Sequence, residues 1–289
     1  MAIINQIVKG GGTTPTGTMY IISNGTYNVT DKAIANVQVP TTAPAHYIEK
    51  AVDANGKLIG GSTVISFNGV TDIGNYALMR AYSNNTNITG VIDMSDLTTV
   101  SGGYACNYTF YGCTGLTSAD LSSLTTVSGD RACQDMFASC TGLTSVVLSS
   151  LTTISGSMFA CDSMFGSCAG LITVSLPALT TVSGGSGCSS MFTNCTGLTS
   201  ASLPALTTAT ARNAFGNMFQ NCTSLATVYI GGTTAIDFGS NTNQFNNMFQ
   251  GCTQNIDVYA PAASQSTIEA FSGYPKFGGT GTVTWHWRS

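Results

Sequence analysis

Ten cysteines and thirteen carboxylates are the groups in this 289-residue chain equipped for chemistry, and their spacing decides what kind. The cysteines fall mostly in pairs seven residues apart: Cys106 and Cys113, Cys133 and Cys140, Cys161 and Cys168, Cys188 and Cys195, then Cys222 and Cys252 without a first partner. Six intervening residues is not the spacing of a zinc knuckle, and His46 and His286 lie outside the cysteine-bearing stretch, so neither a metal site nor a cofactor is expected. Phe215 and Phe245 stand seven residues before Cys222 and Cys252, and Phe can bond neither sulfur nor metal. On a helix, residues seven apart are about 10 Å from each other, beyond the roughly 7 Å Cα separation that a disulfide tolerates. That excludes a bridge within a pair if the segment is helical and leaves bridges between neighbouring pairs open. The sequence therefore reads as a column of buried, reduced thiols behaving as small hydrophobes.

The carboxylates offer little for catalysis. Cleaving a glycan needs two of them converging at about 5–9.5 Å. Asp120, Asp130, Asp135 and Asp162 are the candidates, yet they do not recur at one position of the pattern described next, and Glu49 and Glu269 sit near opposite ends. Asp93 and Asp96, flanking Met94, read as a loop pair. No nucleophile elbow, P-loop or His-Glu-x-x-His is present, and Gly278-Gly279-Thr280-Gly281 lacks the following Lys, so no enzyme is expected and no catalytic residue is assigned.

What must position these residues is a repeat. Cys113, Cys140, Cys168, Cys195, Cys222 and Cys252 step by 27 to 30 residues, and Phe137, Phe165, Phe192, Phe219 and Phe249 keep the same step. A fixed period of this size marks units that bury their apolar faces only by stacking. Cys133, Phe137 and Cys140, at i, i+4 and i+7, predict a short helical segment with one buried face. Leu143, Val146 and Leu148 predict a strand, and Leu-Thr-Thr-Val/Ile runs such as Leu151–Ile154 add a second inward Leu and Val/Ile before glycines turn the chain. The six cysteines and five phenylalanines above are thus assigned to inward ladders. Outward strand positions Ser145, Val147, Ser175, Ser202, Thr227 and Tyr229 form the candidate binding face, a neutral surface rich in hydroxyls. Tyr104, Tyr108, Tyr111 and Tyr274 lie outside the ladder. Trp285 and Trp287 alternate with His286 and read as cap core.

Charged residues make up 8% of the chain, against about 25% usually, with a formal net charge of −4. No basic stripe exists to meet nucleic acid, and apolar runs are too short to span a bilayer, so neither partner is expected.

The unit Met-Phe-x-x-Cys-Thr-Gly-Leu-Thr-Ser-x-x-Leu-x-x-Leu-Thr-Thr-Val resembles the BspA-like, or Treponema-type, leucine-rich repeats of bacterial surface proteins and phage tail proteins. The resemblance implies an α+β leucine-rich-repeat solenoid of about seven 27-residue units, with short strands and short helical segments, preceded by a small N-terminal β module. Residues 1–17 read as an anchor segment and linker, 18–44 as the β module, 45–74 as an entry cap, 75–262 as the solenoid and 263–289 as the C-terminal cap. Within 18–44, Asn24-Gly25 predicts a hairpin and Ala33–Val39 a third strand; the segment resembles a module of tail and baseplate proteins in phages of gut bacteria. The resemblance implies a virion structural protein, a tail fibre or distal appendage assembled in the host cytoplasm. It would join other virion proteins through its N-terminal segment and bind a host surface glycan or protein through its repeat face. A bacterial cell-surface adhesin and a capsid decoration protein are the alternatives. Homo-oligomerisation is left open.

Overall fold

Alternating apolar residues repeated every 27 positions favour parallel strands that stack in register, one rung per unit. The computed structural model describes residues 71–289 apart from 77, 87 and 242, together with three strands ahead of them: β1 (Gly17–Ile22), β2 (Tyr47–Val52) and β3 (Val64–Ser66). It is a solenoid of about seven turns. One face is built from β4 (Thr89–Asp93), β6 (Gly115–Asp120), β8 (Ser145–Val147), β10 (Thr173–Ser175), β12 (Ser200–Leu203), β14 (Thr227–Ile230), β15 (Ile256–Pro261) and β16 (Val283–Arg288). A second, threonine-rich face carries the two-residue strands β5 (Thr99–Val100), β7 (Thr126–Val127), β9 (Thr153–Ile154), β11 (Thr181–Val182) and β13 (Thr208–Ala209), all parallel. β1 pairs antiparallel with β2 and β2 with β3, whereas β3 runs parallel to β4 and so leads the sheet into the first rungs. The expected hairpin at Asn24-Gly25 and the strand at 33–39 lie outside the described residues.

The cysteine-bearing segment is where the structure departs from expectation. It is a ribbon of consecutive turns, not a helix, and the only α-helix among the described residues is α1 (Gln265–Glu269), near the C-terminus. The hydrogen bonds give the reason. The N–H groups of Ala132, Gln134, Met136, Ala138 and Cys140 each donate to the carbonyl three residues back. Those of Arg131, Cys133, Asp135, Phe137 and Ser139 donate instead to Met158, Ala160, Asp162, Met164 and Gly166 of the next unit, at 2.7–3.0 Å. A helix would spend every donor on itself and leave units joined by side chains alone; the ribbon satisfies half its donors along the stack. The geometry requires a left-handed residue every fourth position, as at Arg131, Asp135 and Ser139 (φ 49°, 53° and 61°) and again at Asn213, Asn217 and Asn221 (φ 52°, 53° and 58°). For a non-glycine residue this conformation costs roughly 1–2 kcal/mol, less for Asn.

A four-residue turn period still points two residues in and two out, so Cys133, Met136, Phe137 and Cys140 are fully buried as a helix would bury them. The rings of Tyr82, Phe110, Phe137, Phe165, Phe192, Phe219 and Phe249 form one pile through the core, with centroids 5.2–6.3 Å apart. Tyr82 takes the Phe place in the first unit. At the corner before the ribbon Gly184 (φ +87°) has no room for a side chain: a Cβ there would lie 2.1 Å from the Gly156 carbonyl oxygen of the preceding rung.

After β15 the chain passes through α1 and returns as β16, parallel to β15, adding one more rung. Trp285 turns inward beside Phe245, Phe277 and Tyr274, and its Nε1–H donates to the Pro275 carbonyl at 3.0 Å.

Candidate binding faces

All ten cysteines are buried free thiols. They form two columns with different chemistry. In the second, the thiols of Cys113, Cys140, Cys168, Cys195, Cys222 and Cys252 each donate to the backbone carbonyl of the ring residue one rung back: Tyr82, Phe110, Phe137, Phe165, Phe192 and Phe219, at 3.0–3.1 Å. The first holds Cys106, Cys133, Cys161 and Cys188, fully buried in successive units. Replacing a member of the first column with Phe, as at Phe215 and Phe245, strands no backbone group, and those two rings simply stack at 5.8 Å. The second column keeps Cys in every unit from Cys113 onward because it caps a carbonyl. Burial pushes Cys188 and Cys195 up to about 12 and Cys252 to about 11, so these are packing thiols rather than nucleophiles. Among the described residues no group of three or more His, Cys, Asp or Glu is arranged to hold a metal.

The six candidate strand residues do point outward. Ser145, Val147 and Ser175 are exposed, while Ser202, Thr227 and Tyr229 are half-buried. They do not form one line. Ser175, Ser202 and Tyr229 stand in one column, which continues through Tyr259 to His286. Thr227 belongs to the column of Ser200 and Asp257. Ser145 and Val147 are on β8 in the other sheet, opposite Ser118 and Asp120. The column ends in stacked rings, Tyr229 on Tyr259 at 4.7 Å and Tyr259 on His286 at 4.6 Å. His286 Nε2 lies 2.8 Å from Asp257 Oδ1, and the Arg288 guanidinium sits 5.6 Å over the Tyr229 ring.

The ribbon face carries a second set of large side chains, of which only Tyr104, Tyr108 and Tyr111 were singled out in the sequence. Tyr76 stacks on Tyr104 at 5.2 Å, and the Arg131 guanidinium lies between the rings of Tyr104 and Phe159, at 5.7 and 4.9 Å. One turn along the ribbon, Arg80 lies 5.1 Å over Tyr108. Tyr76 is 43% exposed and Met158, beside Phe159, 48%, so this pile reaches solvent. The signal that would have found it is the four-residue period of left-handed positions: Tyr76, Tyr104, Arg131 and Phe159 all occupy the first of them.

Two of the carboxylates meet here. Asp135 and Asp162 do not hold the same place in their units, but the ribbon pairs residues across rungs with a small offset, and the Asp135 N–H donates to the Asp162 carbonyl at 3.0 Å. Burial first, and then the Asp135 charge, pushes the Asp162 carboxyl up to about 6. The side-chain hydrogen bonds of Asp162 to Ser189 and Gln134 act the other way. Asp130 is held by the Ser157 hydroxyl and the Met158 N–H, and Asp120 accepts from the Ser122 N–H. Asp93 accepts from the N–H and hydroxyl of Ser95.

A family model described as BspA type leucine rich repeat region matches the chain in six copies, over residues 61–164 and 105–253. No curated protein matches it. Among solved structures, the chain is matched to a leucine rich cell surface protein of Faecalibacterium prausnitzii A2-165. The match has 14% sequence identity, covers 98% of this chain and 95% of that one, and has a TM-score of 0.32.

Proposed function

The chain belongs to the BspA-type leucine-rich-repeat family, and from that membership we propose that it is a non-catalytic binding protein of the bacterial cell surface. It meets a glycan or protein partner across extended repeat faces rather than in one pocket. The observation that carries this reading is register. Equivalent outward residues stand one rung apart in Ser175, Ser202 and Tyr229, so a weakly charged, hydroxyl-bearing surface extends along the stack. Hydroxyls and phenols on such a surface hydrogen-bond a partner with little charge to desolvate. The tail-appendage reading draws on residues 1–44, of which the structure describes 17–22 alone. Antibody labelling of intact producing cells tests the proposal against it. Label on the cell surface is the expected result, and label confined to phage particles would overturn it.

A further inference from the structure

The left-handed positions of the ribbon separate what the backbone prefers from what the surface carries. The third such position in each unit holds Asn84, Gly112, Ser139, Ser167, Asn194, Asn221 and Gly251, all small, and most of them Gly or Asn, which tolerate that conformation best. The first and second positions in the C-terminal half are likewise small: Ser186, Ser190, Asn213, Asn217 and Asn247. In the N-terminal half six of the eight such positions hold Tyr76, Arg80, Tyr104, Tyr108, Arg131 and Phe159, large side chains for which positive φ is strained, and only Asp135 and Ser163 are small. Bulky side chains at strained positions that the rest of the repeat fills with small residues, gathered on one partly exposed patch, point to function.

Resting on the binding role above, we propose that this patch is the ligand site and that its ligand is a neutral glycan lying along the solenoid axis. Three features argue for that class. The patch offers an axial row in which Tyr76 and Tyr104 stack at 5.2 Å on successive rungs and Phe159 follows beyond Arg131, so successive sugars meet successive rungs. In and beside that row stand planar hydrogen-bonding groups suited to vicinal hydroxyls: Arg131, which donates to Gln134 Oε1, and Gln134, which donates to Asp162. The charge balance disfavours an acidic polymer, because the carboxylates Asp130, Asp135 and Asp162 outnumber the guanidiniums Arg80 and Arg131 across the patch.

The test uses residues the fold already accepts. Tyr104→Asn and Phe159→Asn place at the first position the residue that Asn213 places there, so the double variant should melt no lower than the native chain. The full chain is run through affinity gels containing xylan, mannan or hydroxyethyl cellulose, with alginate as the acidic comparison, and its binding to whole cells is measured in parallel. Retardation by at least one neutral polymer, weakened at least tenfold in the double variant at undiminished melting temperature, is the expected result. Retardation by alginate alone, or by no polymer, overturns the glycan assignment. Retardation unchanged in the double variant overturns the patch. Whole-cell binding that survives either result leaves the surface-binding role standing, and native chain that binds no cells removes that role as well.

Discussion

Glycine at a ribbon position should raise stability, where in a helix it would lower it. Ser190 is the test site: its φ is 53°, its N–H donates to the Gly216 carbonyl at 2.8 Å, and its carbonyl accepts from the Thr193 N–H at 2.9 Å. Neither backbone bond depends on the side chain. Ser190→Ala keeps a Cβ in the left-handed region, while Ser190→Gly releases the roughly 1–2 kcal/mol which that Cβ costs. Against the release stands the greater freedom of glycine in the unfolded chain, about 0.4–1 kcal/mol. The balance places glycine above alanine by about 1 kcal/mol, or roughly 2–4 °C in melting temperature for a domain of this size. A helical Ser190 would place alanine above glycine by about 1 kcal/mol, so the two geometries differ in sign. Thermal unfolding of both variants under reducing conditions reads the order directly, and alanine melting above glycine would refute the ribbon.

Three more outcomes follow from the core and the ribbon. Phe165→Ala, in the middle of the ring pile with neighbours at 5.5 and 5.7 Å, should cost about 3–5 kcal/mol in urea unfolding. Thiols held near 11 to 12 when folded and near 8.5 when unfolded stabilise the fold fully below about pH 8.5. Stability measured in urea should therefore fall steadily as pH rises from there toward 12, and a flat profile would show the thiols to be exposed. The raised Asp162 carboxyl has the same sign at lower pH: its contribution is greatest below the unfolded value of 3.8 and is lost as pH rises through about 6. Asp162→Asn should flatten that window and gain about 2 kcal/mol at neutral pH, seen as a shift in the urea midpoint.

The period, the inward ladders and the strand positions were legible because each recurs as a residue type at a fixed step. The ribbon was not, because over nine residues a period of four and a period of 3.6 bury the same side chains, Cys133, Phe137 and Cys140 among them. Asn213, Asn217 and Asn221, at steps of four, were the local clue, since Asn is the non-glycine residue most at ease with positive φ. The meeting of Asp135 with Asp162 depends on the offset between rungs, which no residue type announces. Their mutual repulsion also illustrates why the chain carries so little charge: in a stack, like charges at matching places sit one rung apart, as Asp93 and Asp120 do across β4 and β6.

The direction of the ribbon's hydrogen bonds gives the stack a polarity. Each ribbon N–H between Arg131 and Ser139 that leaves its unit points toward the next unit in the chain. On the threonine face the order reverses, with Thr152, Thr153 and Ser155 donating to the unit before. The peptide dipoles of the two faces therefore oppose each other in part. At the C-terminal end the ribbon is left presenting donors, and the Phe277 carbonyl answers one of them by accepting from Phe249. Two such stacks could continue one another only head to tail, carbonyls of one ribbon meeting donors of the other, and never by matching like ends.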